Sequence, residues 1–361
     1  MSLLDTVIDR GRWIQGDNHD LFEKELAEYL QINHVLGVAS GTDALMLALR
    51  AVGCARGSKI ITVANAGGYT SIVASIIGCE VLYCDVDPIR LLIDPLSLKD
   101  MLSNDISAVV VTHLYGNVAP VAEIVTLCKL FNVKVIEDCA QAIGAKTASS
   151  FVGTVGDIAA FSFYPTKNLG GIGDGGAIAT NSQQLADKVR SLRQYGWGKE
   201  KYTIEMAGGS NSRLDELQAA VLLLELKKLE AKNRRRCEIL SRYIEAVSGS
   251  GLSFVTSPTV GNVCHLGVII LPDQSMREKF MQFMGKRGIQ TAIHYPTLDT
   301  EQPGLTGGNA DCHIPISTDV NSRIVTIPLF PELSDYEVDL ISQALREYSL
   351  IVPKFLPELL T

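Results

Sequence analysis

The chain has 361 residues, enough for two or three domains of ordinary size. Apolar residues make up 47% and charged residues 20%, which supports a large core and excludes a disordered or collagen-like chain. The formal net charge of −8 repels nucleic acid and anionic membranes, so we expect neither as a partner. A local basic pocket for a phosphate is compatible with that charge.

The sequence also predicts where the protein resides. No apolar run reaches the roughly 18 residues of a membrane span, and Asp5, Asp9 and Arg10 are untypical of a secretory leader. The eight cysteines contain no Cys-x-x-Cys pair, and most lie in apolar stretches. Such cysteines are typical of buried free thiols in a reducing compartment. We therefore expect a cytoplasmic protein without a membrane segment.

Short β-branched runs alternate with helix-period stretches between about residues 20 and 190. The predicted strands are Val35–Ala39, Lys59–Val63, Val81–Asp85, Ala108–His113, Lys134–Asp138 and Ile158–Phe163. The predicted helices between them include Ala44–Val52, Thr70–Ile77 and Val121–Phe131. This alternation predicts an α/β fold with a mostly parallel sheet that helices cover on both faces.

The pattern changes in the second half of the chain. Residues 213–247 contain no Gly or Pro and predict one long helix or two in tandem. Its Arg234–Arg236 run is typical of a solvated helix face. Beyond a break at Gly249-Ser250-Gly251 we predict a smaller α+β domain. Its elements are a strand at Leu266–Leu271, a helix at Arg277–Arg287, a strand pair at Ile289–His294 and Ile324–Pro328, and a helix at Tyr336–Ser349. The predicted domains are therefore 1–248 and 249–361.

A strand-to-helix turn at Ser40-Gly41-Thr42 is the first candidate site. Ser40 is a residue type that caps helices, and Gly41 allows a ligand to approach the backbone closely. The free N–H groups of a helix N-terminus bind anions such as phosphate. Turns of this type also occur with nothing bound, so the turn alone leaves both interpretations open.

A second candidate site lies where an apolar strand ends in Glu137-Asp138, with Gln141 three residues further on. Ligands of open α/β sheets bind at the carboxyl ends of strands. An acid at this position is more typical of a binding or catalytic group, or of a metal ligand, than of a helix cap. We therefore take Asp138 as a functional residue.

Lys167 lies between a strand end and a run, 170–176, with five glycines in seven positions. The run matches the dinucleotide-binding pattern G-x-G-x-x-G, but that pattern opens a helix, whereas Ala177–Thr180 predicts a strand. We expect the glycines to bring backbone close to a ligand that Lys167 holds. A lysine that loses its proton in a desolvated pocket is a Schiff-base candidate. The alternative is a surface lysine in a flexible loop.

Six segments together resemble the DegT/DnrJ/StrS family of nucleotide-sugar aminotransferases. That family consists of pyridoxal 5'-phosphate (PLP) enzymes of the aspartate aminotransferase fold, fold type I, with a large PLP-binding domain and a smaller C-terminal domain. The segments follow the family's order along nearly the whole chain. They are SGTDAL (40–45), HLYG (113–116), VIEDCAQAIGA (135–145), FSFYPTKNLGGIGDGGA (161–177), NSRLDELQAA (211–220) and IHYP (293–296).

The resemblance implies a role for each matched residue. Lys167 would form the Schiff base with PLP and shuttle the proton, and Asp138 would keep the pyridine nitrogen protonated, so that the ring acts as an electron sink. Gln141 would bind the phenolic oxygen. The phosphate would be held by Gly41, Thr42 and Ser162, together with Asn211 from the neighbouring subunit. The resemblance therefore implies a homodimer with shared active sites.

The resemblance also bears on the ring contact and the substrate. The family usually has an aromatic residue where this chain has Gly67, so we predict that Tyr69 stacks on the cofactor ring instead. Related dehydrases of the family have histidine at the position of Lys167. The lysine in this chain therefore implies amino transfer. The Gly-Asp-Gly-Gly sequence at 173–176 resembles members that aminate carbon 3. The substrate implied is a dTDP-linked 3-keto-6-deoxyhexose, and the implied amino donor is L-glutamate.

Two further segments are candidates on the substrate side. Tyr195 opens an aromatic, glycine-rich and basic segment, 195–202, which is suited to cover a nucleotide. An ordinary surface loop is the alternative. His294 and Tyr295 resemble the family's substrate-side segment, although a lone histidine is commonly structural.

Two other functions stay open at this point. A PLP-binding regulator without turnover would have the same fold and the same cofactor. A nicotinamide-dependent dehydrogenase would use the glycine pattern, and it would require a helix after Gly176. No zinc-ligand spacing occurs in the chain, so we predict no metal.

Overall fold

The structure is a computed structural model that describes residues 3–200, 202–259, 261–305 and 312–352. Its helices are α1 (Leu3–Arg10), α2 (Asp17–Leu30), α3 (Gly41–Ala51), α4 (Tyr69–Ile77), α5 (Pro95–Met101), α6 (Val121–Lys129), α7 (Gln183–Leu192), α8 (Glu216–Leu226), α9 (Leu229–Ala246), α10 (Ser275–Gly285), α11 (Pro315–Asn321) and α12 (Asp335–Ser349). Its strands are β1 (His34–Val38), β2 (Lys59–Val63), β3 (Glu80–Cys84), β4 (Ile106–Thr112), β5 (Lys134–Asp138), β6 (Ile158–Ser162), β7 (Gly176–Thr180), β8 (Ser253–Phe254), β9 (Gly267–Ile270) and β10 (Ile324–Ile327).

Seven strands form the central sheet in the order β1-β7-β6-β5-β4-β2-β3. Neighbours from β6 to β3 pair in parallel, and β7 is antiparallel to both β6 and β1. The predicted α/β class and the mostly parallel sheet are confirmed.

Helices cover this sheet on both faces because successive side chains of a strand point to opposite sides. On β6, Ala159 and Phe161 pack in a core with Phe22 of α2 and Leu222 of α8. The alternate side chains of β6, which point to the other face of the sheet, pack in a second core with helices α3, α4 and α7. Strands buried on both faces appear in the sequence as continuous apolar runs, which is why their positions were predictable.

A second sheet of three strands, in the order β10-β9-β8, lies in the C-terminal part of the chain. The predicted tandem helices before it are α8 and α9, and the end of α9 packs against this sheet through Ile239, Leu240 and Tyr243. A domain boundary at residue 248 stays a prediction. None of the helices in the described ranges has the length and hydropathy needed to cross a bilayer.

The prediction of a strand at Ile289–His294 was wrong. Only Ala292 pairs with β10, through a bridge to Thr326 with N–O distances of 2.7 and 3.0 Å. Beyond this bridge the side chains of His294 and Tyr295 turn into a cavity and form hydrogen bonds there. The backbone therefore leaves the sheet after one paired residue.

The prediction of a solvated arginine run was wrong for one of its residues. Arg234 is exposed, but Arg236 is only 6% exposed. Its Nη1 donates to the carbonyl oxygens of His265, at 3.0 Å, and Leu329, at 2.7 Å. Arg236 is buried because α9 packs across the segments that precede β9 and follow β10.

Candidate active site

A cavity of about 1070 Å³ opens at the carboxyl ends of β5 and β6, beside the first turn of α3. Ligand sites of open α/β sheets lie at this edge. All the predicted site residues except Tyr195 and Asn211 line the cavity. They are Gly41, Thr42, Tyr69, Asp138, Gln141, Ser162, Lys167, His294 and Tyr295.

The first turn of α3 lies close against the central sheet. Ser40 caps the helix as predicted, since its Oγ accepts a hydrogen bond from the Asp43 N–H at 3.1 Å. A Cβ on Gly41 would lie 2.6 Å from Ser162 Cβ, and one on Gly176 would lie 2.4 Å from the Ser40 carbonyl oxygen. Glycine at 41 and 176 therefore lets the helix N-terminus approach the strand ends. The first-turn N–H groups, which have no partner inside the helix, lie beside the Ser162 hydroxyl, an arrangement typical of anion-binding sites.

Asp138 is the last residue of β5 and is 5% exposed. Its Oδ1 accepts a hydrogen bond from the Ala140 N–H at 3.1 Å. Burial raises the pKa of this carboxyl, and the Ala140 N–H and the Lys167 ammonium oppose that rise. A buried carboxylate with one backbone donor has remaining acceptor capacity that a protonated ring nitrogen could use.

Lys167 lies in a turn closed by its own N–H, which donates to the Tyr164 carbonyl at 2.8 Å. Burial lowers the pKa of its amine, and the Asp138 carboxylate partly opposes the effect. Near neutral pH this lysine is therefore more readily deprotonated than a surface lysine. A neutral amine is the form that attacks a carbonyl carbon.

Glu137 and His113 form a buried support directly behind Asp138. His113 Nε2 lies 3.0 Å from Glu137 Oε2, and its Nδ1 accepts from the Ala119 N–H, so Nε2 carries the proton. Backbone N–H groups of residues 153, 155 and 156 donate to the Glu137 carboxylate. Ligand atoms of His113, Glu137 and Cys139 lie within 4.8 Å of one another. Hydrogen bonds already occupy both imidazole nitrogens and both carboxylate oxygens, so the cluster is a structural hydrogen-bond network.

A chain of hydrogen bonds that the sequence did not reveal supports Lys167 from the other side. Asn168 Nδ2 donates to Asn233 Oδ1 at 2.7 Å, and Asn168 Oδ1 lies 2.7 Å from His265 Nδ1. His265 Nδ1 is therefore the donor. Burial, with Lys167 and Arg236 nearby, holds the pKa of His265 well below its usual value, so its ring is neutral at the cavity wall. Asn168 directly follows Lys167, but no sequence pattern links it to His265 or Asn233.

Two glycines of the run after Lys167 lie against helix α8. Cβ atoms on Gly171 and Gly173 would lie 2.5 and 2.7 Å from the Gln218 amide of α8. The Ile172 N–H also donates to that amide, at 2.9 Å. These two glycines therefore bring the loop against α8. Gly170 of the same run lines the cavity, so the expectation that the run brings backbone close to a ligand stays a prediction. The strand β7 begins at Gly176, so the dinucleotide pattern is not followed by the helix that it requires.

Tyr195 and Asn211 lie outside the cavity of their own chain. Their segment is held together by backbone hydrogen bonds, among them the Tyr195 N–H to the Ser210 carbonyl at 3.0 Å. Tyr195 packs against Trp197 with ring centroids 5.1 Å apart and ring planes tilted by 37°, and it is 39% exposed. The roles predicted for Tyr195 and Asn211 stay predictions.

The fold and the site together define a class of protein. It is an α/β protein in which a desolvated lysine, a buried carboxylate and a helix N-terminus face one cavity. Among known families, the model of the DegT/DnrJ/EryC1/StrS aminotransferase family matches residues 1–346. The chain belongs to this family, as its sequence motifs predicted.

Individual relatives match over nearly the whole chain. The dTDP-3-amino-3,6-dideoxy-alpha-D-galactopyranose transaminase of Aneurinibacillus thermoaerophilus is 38% identical over 96% of this chain and 94% of its own length. The crystal structure of DesV from S. venezuelae, in complex with a ketimine intermediate, has a TM-score of 0.90 and 32% identity, covering 96% and 93% of the two chains. That of NtdA from Bacillus subtilis, with bound cofactor PMP, has a TM-score of 0.90 and 29% identity, covering 96% and 80%.

Proposed function

We propose that this protein is a PLP-dependent aminotransferase that moves an amino group from L-glutamate to a nucleotide-linked keto-deoxysugar. The observation that carries the proposal is the pairing of Lys167 and Asp138 in one cavity. Their side chains face the space next to the N-terminus of α3. Each has a pKa shifted by burial, a condition that is common among catalytic groups.

The residues of the cavity fit PLP group by group. The N–H groups of Gly41 and Thr42, with the Ser162 hydroxyl, suit its phosphate. The Asp138 carboxylate suits its ring nitrogen, and Gln141 suits its phenolic oxygen. When bound, PLP supplies an electron sink that stabilises negative charge on the reacting carbon.

The chain's own chemical work falls mainly on two side chains. The Lys167 amine would hold the cofactor at rest, and once released it would accept and return a proton as a general base and acid. Such proton transfer contributes about 10²–10⁴-fold to the rate. The Asp138 carboxylate would keep the ring nitrogen protonated, and the backbone hydrogen bonds to Glu137 behind it hold the strand end in place.

Three observations support a keto-sugar substrate aminated at carbon 3. The cavity volume is slightly above the usual range of about 300–1,000 Å³ for small-molecule sites, which leaves room for a substrate beside the cofactor. Asp174 of the Gly-Asp-Gly-Gly sequence lines the cavity. The Aneurinibacillus relative is named for a dTDP-linked 3-amino sugar. We therefore propose a dTDP-linked 3-keto-6-deoxyhexose as the acceptor.

We further propose a homodimer with shared active sites, located in the cytoplasm. Asn211 and Tyr195 lie on one exposed segment away from their own cavity, from which they could reach the cavity of a partner. All eight cysteines are free thiols, which fits a reducing compartment.

The decisive experiment is turnover with defined substrates. The protein, PLP and L-glutamate are incubated with a dTDP-linked 3-keto-6-deoxyhexose or with its 4-keto isomer, and the amino sugar is detected by mass spectrometry. We expect product from the 3-keto sugar, loss of product in Lys167→Ala, and unchanged turnover in the control Lys129→Ala, an exposed lysine of α6. PLP binding without product from either sugar would favour the regulator instead.

A further inference from the structure

The orientation of the Gln141 amide is fixed by two hydrogen bonds. Its Oε1 accepts from the Tyr115 backbone N–H at 2.7 Å, and its Nε2 donates to the Tyr295 hydroxyl at 3.0 Å. Gln141 is 7% exposed, so reversing the amide would leave a buried backbone N–H without an acceptor. The N–H side of Gln141 therefore faces Tyr295 and the cavity.

Tyr295 reaches Gln141 because residue 67 has no side chain. A Cβ on Gly67 would lie 2.8–2.9 Å from three ring carbons of Tyr295, closer than side-chain atoms approach. Gly67 also has a positive φ of 83°, which favours glycine. Tyr69 packs edge-on against the same ring, with centroids 6.1 Å apart. The Tyr295 ring is thus held between the Gly67 backbone and Tyr69.

The Tyr295 hydroxyl stays protonated in this position. Burial, with Tyr69, Tyr115 and Asp138 nearby, raises its pKa above the usual value. A neutral hydroxyl accepts the hydrogen bond from Gln141, and its side-chain hydrogen bond with Tyr69 also favours the protonated form. Tyr69, by contrast, is 45% exposed, so Tyr295 is the more enclosed of the two aromatic residues.

We propose that Tyr295 is a positioning residue that holds the Gln141 amide in the orientation that binds the cofactor's phenolic oxygen, and that Gly67 is the residue that admits it. This inference rests on the proposed function for the identity of the cofactor. It replaces the substrate-side role that the sequence suggested for Tyr295. It also explains why this chain has no aromatic residue at position 67: a ring there would occupy the place of Tyr295.

The test is a double-mutant cycle on cofactor binding. The affinity of the cofactor-free protein for PLP is measured by fluorescence quenching in the wild type, Tyr295→Phe, Gln141→Ala and the double variant. We expect Tyr295→Phe to raise Kd about 2–12-fold, the range for one lost hydrogen bond. Because Tyr295 acts through Gln141, it should raise Kd no further when Gln141→Ala is already present. Tyr348→Phe, which removes a tyrosine hydroxyl outside the cavity, is the matched control and should leave Kd unchanged.

A second readout separates positioning from simple packing. The visible absorption of the bound cofactor is titrated with pH, and we expect its midpoint to move in Tyr295→Phe and Gln141→Ala alike. An unchanged Kd and midpoint in Tyr295→Phe, or additive effects of the two substitutions, would overturn the inference. A wild-type protein that does not bind PLP would instead overturn the proposed function.

Discussion

Asp299 gives a quantitative test of how the cavity segment is anchored. It lies in a short 3-10 turn, Asp299–Glu301, after His294 and Tyr295, and is 2% exposed. The Ser71 hydroxyl of α4 donates to its carboxylate, and its own N–H donates to the Ala64 carbonyl at 2.8 Å. Burial raises the pKa of Asp299 to about 6 from an ordinary 3.8, although Ser71 and the Gly68 N–H favour the charged form.

The size of the effect follows from that shift. The rise in the Asp299 pKa makes ionisation of its carboxyl about 3 kcal/mol less favourable in the folded protein than in the unfolded chain. Because the folded protein binds this proton more tightly than the unfolded chain does, protonation of Asp299 stabilises the fold. That stabilisation is present at acidic pH, below the unfolded-state pKa, and is lost as the pH rises through 6. Asn resembles the protonated acid and does not titrate. Relative to wild type, Asp299→Asn should therefore gain about 2 kcal/mol in free energy of unfolding between pH 4 and pH 7.5, less than the full difference because the unfolded carboxyl is already partly ionised at pH 4.

The assay is urea unfolding followed by circular dichroism at several pH values, with both proteins at the same cofactor content. Other titrating groups are common to both proteins and cancel in the difference. Asp105, which is exposed and bound to Lys59 at 2.7 Å, has a pKa lowered to about 2. The charged form of Asp105 stabilises the fold, so Asp105→Asn should be less stable to unfolding than wild type at neutral pH. This loss should shrink at acidic pH, the opposite of the pH dependence expected for Asp299→Asn. If the difference between Asp299→Asn and wild type does not vary with pH, the Asp299 carboxyl does not titrate with a raised pKa in the folded protein.

Two substitutions at the cavity test the cofactor contacts. Gly41→Ala should raise the Kd for PLP about 10–150-fold, because its Cβ would lie 2.6 Å from Ser162 Cβ and move the α3 N–H groups away from the phosphate. Gly285→Ala, at a helical position with open space, is the matched control, and equal affinities in both variants would contradict this prediction. Asp138→Asn should keep PLP binding but lower kcat about 10²–10³-fold, the loss typical of one preorganised electrostatic contact. An unchanged kcat in a steady-state assay would rule out the role of Asp138.

The parts of the site that the sequence predicted are those set by local structure. Asp138 and Ser162 end buried strands, and Gly41 opens a helix capped by Ser40, so the apolar runs around them fixed their positions. Parallel strands end at the same edge of a sheet, which brings such residues together. For these residues, placement in the fold followed from the pattern along the chain.

The parts that could not be predicted depend on contacts between distant segments. Arg236 and His265 reach the cavity wall only because α9 packs across the C-terminal sheet. The glycines at 171 and 173 accommodate Gln218, which lies some 45 residues further along the chain. The sequence showed that position 67 lacks the family's aromatic residue. Only the fold revealed that the Tyr295 ring lies against Gly67. No helical or strand periodicity encodes these pairs.

The most direct test of the central claim is the visible absorption spectrum of the protein with PLP, recorded before and after L-glutamate is added. We expect a band from cofactor bound to Lys167, which bleaches when glutamate donates its amino group. Lys167→Ala should lack that band. Absence of the band in the wild type with PLP added, or the same band in Lys167→Ala, would contradict the account.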